Sequence, residues 1–327
     1  MISARISRCD WPLAEPFTIA RGTQTVQPTL TLTLTDENGR MGRGEACGVY
    51  YAGDTIAAME ADLALAMPHI QRGVRRADLP TLIRSGGARH LVDAALWDIE
   101  AKAGGTNAFA MAGVAPDPVT TARTIGIRSI AAYETTARQL HDYPLLKIKL
   151  DASAPLAVLA AVKRGAPAAR IIIDPNQSWS VEQLKTWAPA LADLGIALIE
   201  QPIAVGAEGE LDGWHSPVPL CADELIDGAS DLAKARGRFG AINIKLDKCG
   251  GLTSGLVLAQ MAREQGFDLM VGCMGGSSLS MAPAMVLAQV CDVVDLDGPL
   301  LQVGDTNPAL DYQAGRVAMP LLPGLWG

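Results

Sequence analysis

Three acids stand at comparable places in the chain. Asp174 closes Ile171-Ile172-Ile173-Asp174, Glu200 closes Leu198-Ile199-Glu200, and Asp223 closes Pro219-Leu220-Cys221-Ala222-Asp223. Three carboxylates brought to one place repel strongly unless a cation answers them. Oxygen-only ligands with room for water and a substrate carboxylate suit Mg²⁺, with Mn²⁺ as second choice. Two lysines end two further apolar stretches, Lys149 in Leu146-Lys147-Ile148-Lys149-Leu150 and Lys245 in Ile242-Asn243-Ile244-Lys245-Leu246. A substrate carboxylate on the metal would present its α-carbon between them. One lysine then removes the α-proton and the other returns one from the opposite face, while the metal stabilises the enolate-like charge. Because a free lysine is mostly protonated at neutral pH, Lys147 on the same strand face as Lys149 has a purpose: like-charge repulsion lowers its neighbour's pKa. Schiff-base lysine chemistry needs neither the three acids nor the second lysine.

These residues meet only if parallel strands carry them to one rim. From about Thr120 the chain alternates short apolar strands with helices. Candidate strands are Arg123–Ile127, Leu146–Leu150, Ile171–Asp174, Leu198–Glu200, Leu220–Asp223, Ile242–Leu246, Leu269–Val271 and Val293–Asp297. Ser180-Val181-Glu182-Gln183 reads as a capping box, and Gly195 and Gly266 sit where helices end. Eight strands favour a compact (β/α) barrel, on which the second and sixth strands, bearing Lys149 and Lys245, face each other across the ring. No Gly-x-Gly-x-x-Gly follows an early strand, so a dinucleotide fold has no fingerprint. Within the strands, Lys147 and Lys149, Asn243 and Lys245, and Asp295 and Asp297 all alternate with apolar residues, which puts charge on one face of covered parallel strands. Lys248 lies past its strand and reads as a surface lysine.

The first hundred residues follow another pattern. Thr29 to Thr35 alternates strictly and Asn38-Gly39 follows as a hairpin turn; helical patterns cover Ile56–Met67 and His90–Ala103. The expected division is an α+β capping domain over 1–114, a barrel over 115–299, and a segment over 300–327 that returns to the cap.

Composition bounds the partners. A formal charge of −8 and a pI near 5.1 disfavour nucleic acid and anionic membrane, and favour a small-molecule substrate. Six scattered cysteines without a Cys-x-x-Cys pair point away from zinc and toward reduced thiols and a cytoplasmic setting. No secretory signal opens the chain. The uncharged stretch from Leu269 to Cys291 contains Gly272, Gly275, Gly276 and Pro283, so it reads as strand, loop and helix rather than a membrane span. The oligomeric state, a homo-oligomer included, is left open.

Together these residues resemble the enolase superfamily. Ala94-Ala95-Leu96-Trp97-Asp98 with Ala101-Lys102 is similar to the helix closing its capping domain, and Pro323-Gly324-Leu325 to its C-terminal return. Lys147-x-Lys149, Asp174-Pro175-Asn176-Gln177-Ser178-Trp179, Glu200-Gln201-Pro202, Ala222-Asp223-Glu224 and Asn243-Ile244-Lys245-Leu246 resemble the muconate lactonising subgroup in order and spacing. The resemblance implies a (β/α)7β-type TIM barrel with an α+β capping domain, Mg²⁺ on Asp174, Glu200 and Asp223, and Lys149 and Lys245 as the catalytic pair. Asp295-Leu296-Asp297-Gly298-Pro299 looks like the Asp-x-Asp with which dipeptide epimerases bind a substrate's ammonium, and Arg21 in Phe17-Thr18-Ile19-Ala20-Arg21-Gly22 like the loop arginine that reaches an acidic side chain. With Lys147 they form the implied substrate-binding set. The implied reaction interconverts L-Ala-L-Glu and L-Ala-D-Glu in the recycling of cell-wall peptides. One departure is Gly276 in Cys273-Met274-Gly275-Gly276-Ser277, where many subgroup members carry glutamate. Sister reactions on the same machinery are N-acylamino acid racemisation, o-succinylbenzoate synthesis and muconate cycloisomerisation, whose substrates lack an ammonium there. A barrel hydrolase would bring a His-rich ligand set that is not seen, and a non-catalytic binding protein would leave two opposed lysines unexplained.

Overall fold

Alternation builds the first layer of the computed structural model, which describes residues 2–320 and 324–327. Strands β1 (Ser3–Ile19), β2 (Gly22–Thr35) and β3 (Met41–Ala46) form an antiparallel sheet in that order. Leu30, Leu32 and Leu34 are fully buried against helices Ile56–Gln71 and Gly87–Gly104. The expected turn is present, with Asp36 N donating to Arg40 O and Gly39 in the left-handed region at φ 77°. The sequence pattern did not reveal β1. Pro12 and Pro16 interrupt its alternation, and its register against β2 shifts between Pro12 and Phe17. The β1–β2 ribbon turns at Ala20-Arg21, so Arg21 sits at the tip of a long hairpin rather than in an open loop.

A second sheet holds eight parallel strands in sequence order: β5 (Arg123–Ile125), β6 (Leu145–Lys149), β7 (Arg170–Asp174), β8 (Ile196–Glu200), β9 (Leu220–Ala222), β10 (Ala241–Lys245), β11 (Asp268–Gly272) and β12 (Val293–Asp295). It closes where Ala122 N donates to Val294 O at 2.8 Å. Five helices of ten residues or more cover it, among them Val181–Asp193 with the expected Ser180/Gln183 capping box. The crossovers around β9 are thinner, a 3₁₀ turn at Glu208–Leu211 and a single turn at Leu232–Ala235. The stretch from Leu269 is strand, loop and the buried helix Ser278–Ala288. Among the described residues no helix is long and apolar enough to cross a membrane, and all six cysteines are free.

The remaining strands belong to a small sheet in which β13 (Asp311–Gln313) and β14 (Arg316–Ala318) pair with β4 (Val119–Thr120). Beyond it the chain reaches the cap: Trp326 Nε1 donates to Ala94 O, Gly327 N to Asp98 Oδ1, and the Arg43 guanidinium to the carbonyls of Gly324 and Leu325. Pro323 of the C-terminal motif lies outside the described residues.

Period-two alternation decides what the barrel interior contains. One residue from each strand or its approach forms an apolar floor: Ala122, Leu145, Ile172, Leu198, Cys221, Ala241, Met270 and Val293. Two residues further on, every strand presents the next inward position: Thr124, Lys147, Asp174, Glu200, Asp223, Asn243, Gly272 and Asp295. The outward positions between them, such as Ile148, Ile173, Ile199 and Ile244, join the large core beneath the helices. An apolar floor under a ring of polar groups is the layer order of a barrel whose C-terminal end does chemistry.

Candidate active site

All nine residues singled out from the sequence lie at this mouth. Asp174, Glu200 and Asp223 are fully buried, on β7, on β8 and just beyond β9. Lys149 on β6 and Lys245 on β10 flank this arc, Lys149 Nζ lying 2.5 Å from Asp174 Oδ2 and Lys245 Nζ 2.7 Å from Asp223 Oδ2. Both lysines line one cavity together with Arg21, Lys147, Asp295 and Asp297.

Turn geometry holds the acids. Gln201, at φ 30°, accepts Asp223 N at 2.9 Å and Leu225 N at 3.3 Å through its side-chain oxygen, while its carbonyl accepts Gln177 N. Asn176 and Gln177 also have positive φ, and Asn176 Oδ1 accepts Lys149 Nζ at 3.1 Å. Non-glycine residues held in this region cost of order 1 to 3 kcal/mol each and persist where surrounding contacts over-determine them. These contacts explain why Asp174-Pro175-Asn176-Gln177 and Glu200-Gln201-Pro202 are more than turns.

Lys147 has a different setting from the one its spacing suggested. Its ammonium lies 2.6 Å from Glu200 Oε2, 2.7 Å from Asp295 Oδ2 and 3.3 Å from Asp174 Oδ2. Burial opposes its charge, but the three acids more than offset that and hold its pKa well above the ordinary lysine value. The positive charge that was expected to press on Lys149 is thus answered by carboxylates. Lys248 corrects the sequence reading outright. It is 3% exposed, on the one-turn helix Leu246–Cys249, and its ammonium contacts Asp223 Oδ1 at 2.7 Å. The turn brings it back three residues after Lys245, onto the other oxygen of the same carboxylate.

Among the described residues no three acidic, histidine or cysteine side chains stand closely enough to grasp an ion as arranged, and lysine ammonium groups lie against each of the three acids. The donor set nevertheless fits a hard cation. Burial first, then repulsion from Asp174, pushes Glu200 up despite Lys147, the mark of a cluster short of positive charge. Glu200 Oε2 touches Lys147 but accepts no directed hydrogen bond, and Asn243 Oδ1 is likewise buried without a donor.

Asn243 was not singled out as a site residue. Its amide donates to Glu200 Oε1 at 2.8 Å, and a methyl group on Gly272 would sit 2.8 Å from both the oxygen and nitrogen of that amide. Gly272→Ala must therefore displace Asn243 and strip Glu200 of its donor. The expected cost is about 1–3 kcal/mol, the usual penalty for an unsatisfied buried polar group. Thermal or denaturant unfolding reads it, and a variant as stable as the parent would show that Asn243 has room to spare.

Asp295 and Asp297 already have protein partners. Asp297 Oδ2 accepts Thr124 N at 2.6 Å and lies 3.5 Å from Arg123 Nη1, while Asp295 carries Lys147. The β1–β2 hairpin is pinned over the cavity by Ile127 N donating to Thr18 O at 2.7 Å and by Arg128 against Glu15 at 2.7 Å. Arg21 at its tip stacks 4.4 Å from the centre of the Tyr51 ring and pairs with Glu224. Tyr51 and Glu224 were not recognised from the sequence as part of this end.

Comparisons agree with this architecture. Residues 131–325 match the enolase C-terminal domain-like family, and residues 1–113 match the mandelate racemase / muconate lactonizing enzyme N-terminal domain. The L-Ala-D/L-Glu epimerase of Escherichia coli (strain K12) is 36% identical over 94% of this chain and 96% of its own. The N-acetyl-D-glutamate racemase of a Pseudoalteromonas species is 38% identical over 78% of this chain and 81% of its own. A crystal structure of an enolase family member from Agrobacterium tumefaciens with homology to dipeptide epimerases, holding sodium and L-Ala-L-Glu with an ordered loop, covers 100% of both chains at 40% identity and a TM-score of 0.97. The dipeptide epimerase of Methylococcus capsulatus complexed with Mg and L-Arg-D-Lys has a TM-score of 0.90 at 29% identity, covering 100% of this chain and 98% of that one. The chain belongs to the mandelate racemase / muconate lactonizing enzyme family of enolase-like proteins.

Proposed function

We infer that this protein is a Mg²⁺-dependent dipeptide epimerase, an isomerase that inverts the carbon α to the C-terminal carboxylate, with L-Ala-L-Glu and L-Ala-D-Glu as its preferred pair. The observation that carries this reading is the pair of lysines, Lys149 and Lys245, flanking a buried acidic arc from opposite sides in a cavity that also contains Arg21 and the Asp295/Asp297 pair. Asp174, Glu200 and Asp223 would hold the metal, which when bound supplies the charge that an enolate-like carboxylate requires. Lys149 and Lys245 take and return the α-proton on opposite faces. Their contacts with Asp174 and Asp223 fix each ammonium at the end of its strand. Asp295 and Asp297 supply negative charge for the substrate's ammonium, Lys147 balances the acids beside it, and Arg21 faces the acidic side chain. The reaction serves recycling of cell-wall peptides in the cytoplasm.

A second reading, racemisation of an N-acylated glutamate, is favoured by one observation. Asp297 is satisfied by Thr124 and approached by Arg123, and Asp295 is paired with Lys147, so the acidic end is not left bare for an ammonium. The 38% identical N-acetyl-D-glutamate racemase supports the same alternative. A single assay separates them. In D₂O with Mg²⁺, L-Ala-L-Glu should gain deuterium at the glutamate α-carbon and lose optical purity faster than N-acetyl-L-glutamate. Asp297→Asn should then reduce kcat/KM for the dipeptide at least about tenfold more than for the N-acetyl compound, since a charged hydrogen bond is worth about 1.5–3 kcal/mol. A faster reaction with N-acetyl-L-glutamate, untouched by Asp297→Asn, would transfer the assignment to the second reading.

A further inference from the structure

Arg21 lines the end of the cavity assigned to the substrate side chain, and behind it stands a charge of opposite sign, Glu224, that the reading above does not use. Glu224 follows Asp223 beyond β9, and its side chain is 3% exposed against 25% for Arg21. Arg21 Nη1 donates to Glu224 Oε1 at 2.5 Å, and Asn176 Nδ2 reaches the same oxygen at 3.4 Å. Glu224 Oε2 is buried and accepts no hydrogen bond from the described residues. The two nearby lysines are committed to the adjoining acid, Lys245 to Asp223 Oδ2 and Lys248 to Asp223 Oδ1. Arg21 is therefore the cation that answers Glu224, and a carboxylate so deeply covered requires one.

The guanidinium gains from the arrangement as well. It is clamped between the Tyr51 ring and Glu224 at the tip of a hairpin, and only part of its five-donor fork is used by Oε1. Rotamer freedom that a free arginine would lose on binding substrate is already lost here.

We propose that Glu224 is a second specificity determinant of this site: beside Arg21 it orients the guanidinium toward an acidic substrate side chain, and without Arg21 its own carboxylate recruits a cationic one. The inference rests on the dipeptide-epimerase reading. It predicts that the charge preference reverses on loss of one residue, rather than merely relaxing, because the negative charge left behind is buried and directional.

The experiment compares the wild type, Arg21→Met, Glu224→Gln and the double variant Arg21→Met/Glu224→Gln, each loaded with Mg²⁺, on L-Ala-L-Glu, L-Ala-L-Gln and L-Ala-L-Lys. Ratios of kcat/KM are read, so that any general loss from disturbing the neighbourhood of Asp223 cancels. In Arg21→Met the Glu/Gln ratio falls and the Lys/Gln ratio rises at least tenfold; in the double variant the rise in Lys/Gln disappears. Where turnover is too slow, the same ranking is read as Kd by calorimetry. An Arg21→Met variant with no gain for L-Ala-L-Lys, or a gain that survives Glu224→Gln, overturns the role of Glu224. Retention of the Glu/Gln preference by Arg21→Met overturns the role of Arg21 as well, and inactivity of the wild type on all three dipeptides overturns the epimerase reading itself.

Discussion

Replacing Lys149 or Lys245 with alanine will abolish net epimerisation of L-Ala-L-Glu while leaving half of the exchange chemistry intact. With one lysine on each face, the variant lacking either still has a base for one enantiomer and no acid for the return on the other side. In D₂O with Mg²⁺, one variant should exchange the α-hydrogen of the L,L dipeptide without producing the L,D isomer, and the other should do the converse. Proton transfer by a positioned side chain contributes about 10²–10⁴ in rate, or about 3–5 kcal/mol of barrier, and net turnover should fall by at least that much. Each lysine also pairs with a buried acid, Asp174 at 2.5 Å and Asp223 at 2.7 Å, so truncation threatens the fold as well as the chemistry. Lys149→Arg and Lys245→Arg keep the charge and control for this: they should remain folded by circular dichroism and still fail to epimerise. A variant that exchanges both enantiomers would refute the two-base assignment.

Particular residues stand out because a barrel maps simply onto sequence. Period-two alternation put Lys147 with Lys149, Asn243 with Lys245 and Asp295 with Asp297 on interior faces, and all eight strands lie where apolar runs suggested. Charge inside helix-covered parallel strands is conspicuous because packing normally excludes it. What alternation does not carry is anything decided by a turn or by contact between distant segments. Lys248 looked exposed because the strand had ended, yet the turn Leu246–Cys249 folds it onto Asp223. Its spacing of three from Lys245, followed by Gly250-Gly251, was the available signal. The pairing of Arg21 with Glu224 spans 203 residues and two sheets, and no local pattern encodes it. Gly272 figured in the sequence only as one of the breaks that argue against a membrane span; its meaning, room for the amide of Asn243, exists only once β10 and β11 are side by side.

Glu200→Gln will separate the electrostatics of the acidic arc from its use. Glu200 is fully buried on β8, between the strands of Asp174 and Asp223. Burial, with repulsion from Asp174 next, raises its pKa from 4.5 to about 8 despite the opposing pull of Lys147. The sign of the stability effect follows from the folded value lying above the unfolded one. Below the unfolded value both states hold the proton and stability is unaffected; as pH rises toward the folded value, the unfolded chain sheds its proton first and stability is lost. Metal-free wild type should thus become less stable between about pH 4.5 and about pH 8 through this group. Glu200→Gln, neutral and of the same shape, should lack that part of the decline. Adding Mg²⁺ at pH 8 should reverse the pattern. A ligand bound only by the folded state contributes about 2.7 kcal/mol at 100 times its Kd, so the wild type should gain several degrees in Tm. The glutamine variant should gain far less, and its turnover should fall by roughly 10²–10³ or more, as expected on losing several kcal/mol of charge stabilisation. Equal Mg²⁺ stabilisation in the two proteins would remove Glu200 from the metal site. A glutamine variant with the wild-type pH profile would show that the shifted proton belongs to another acid of the cluster.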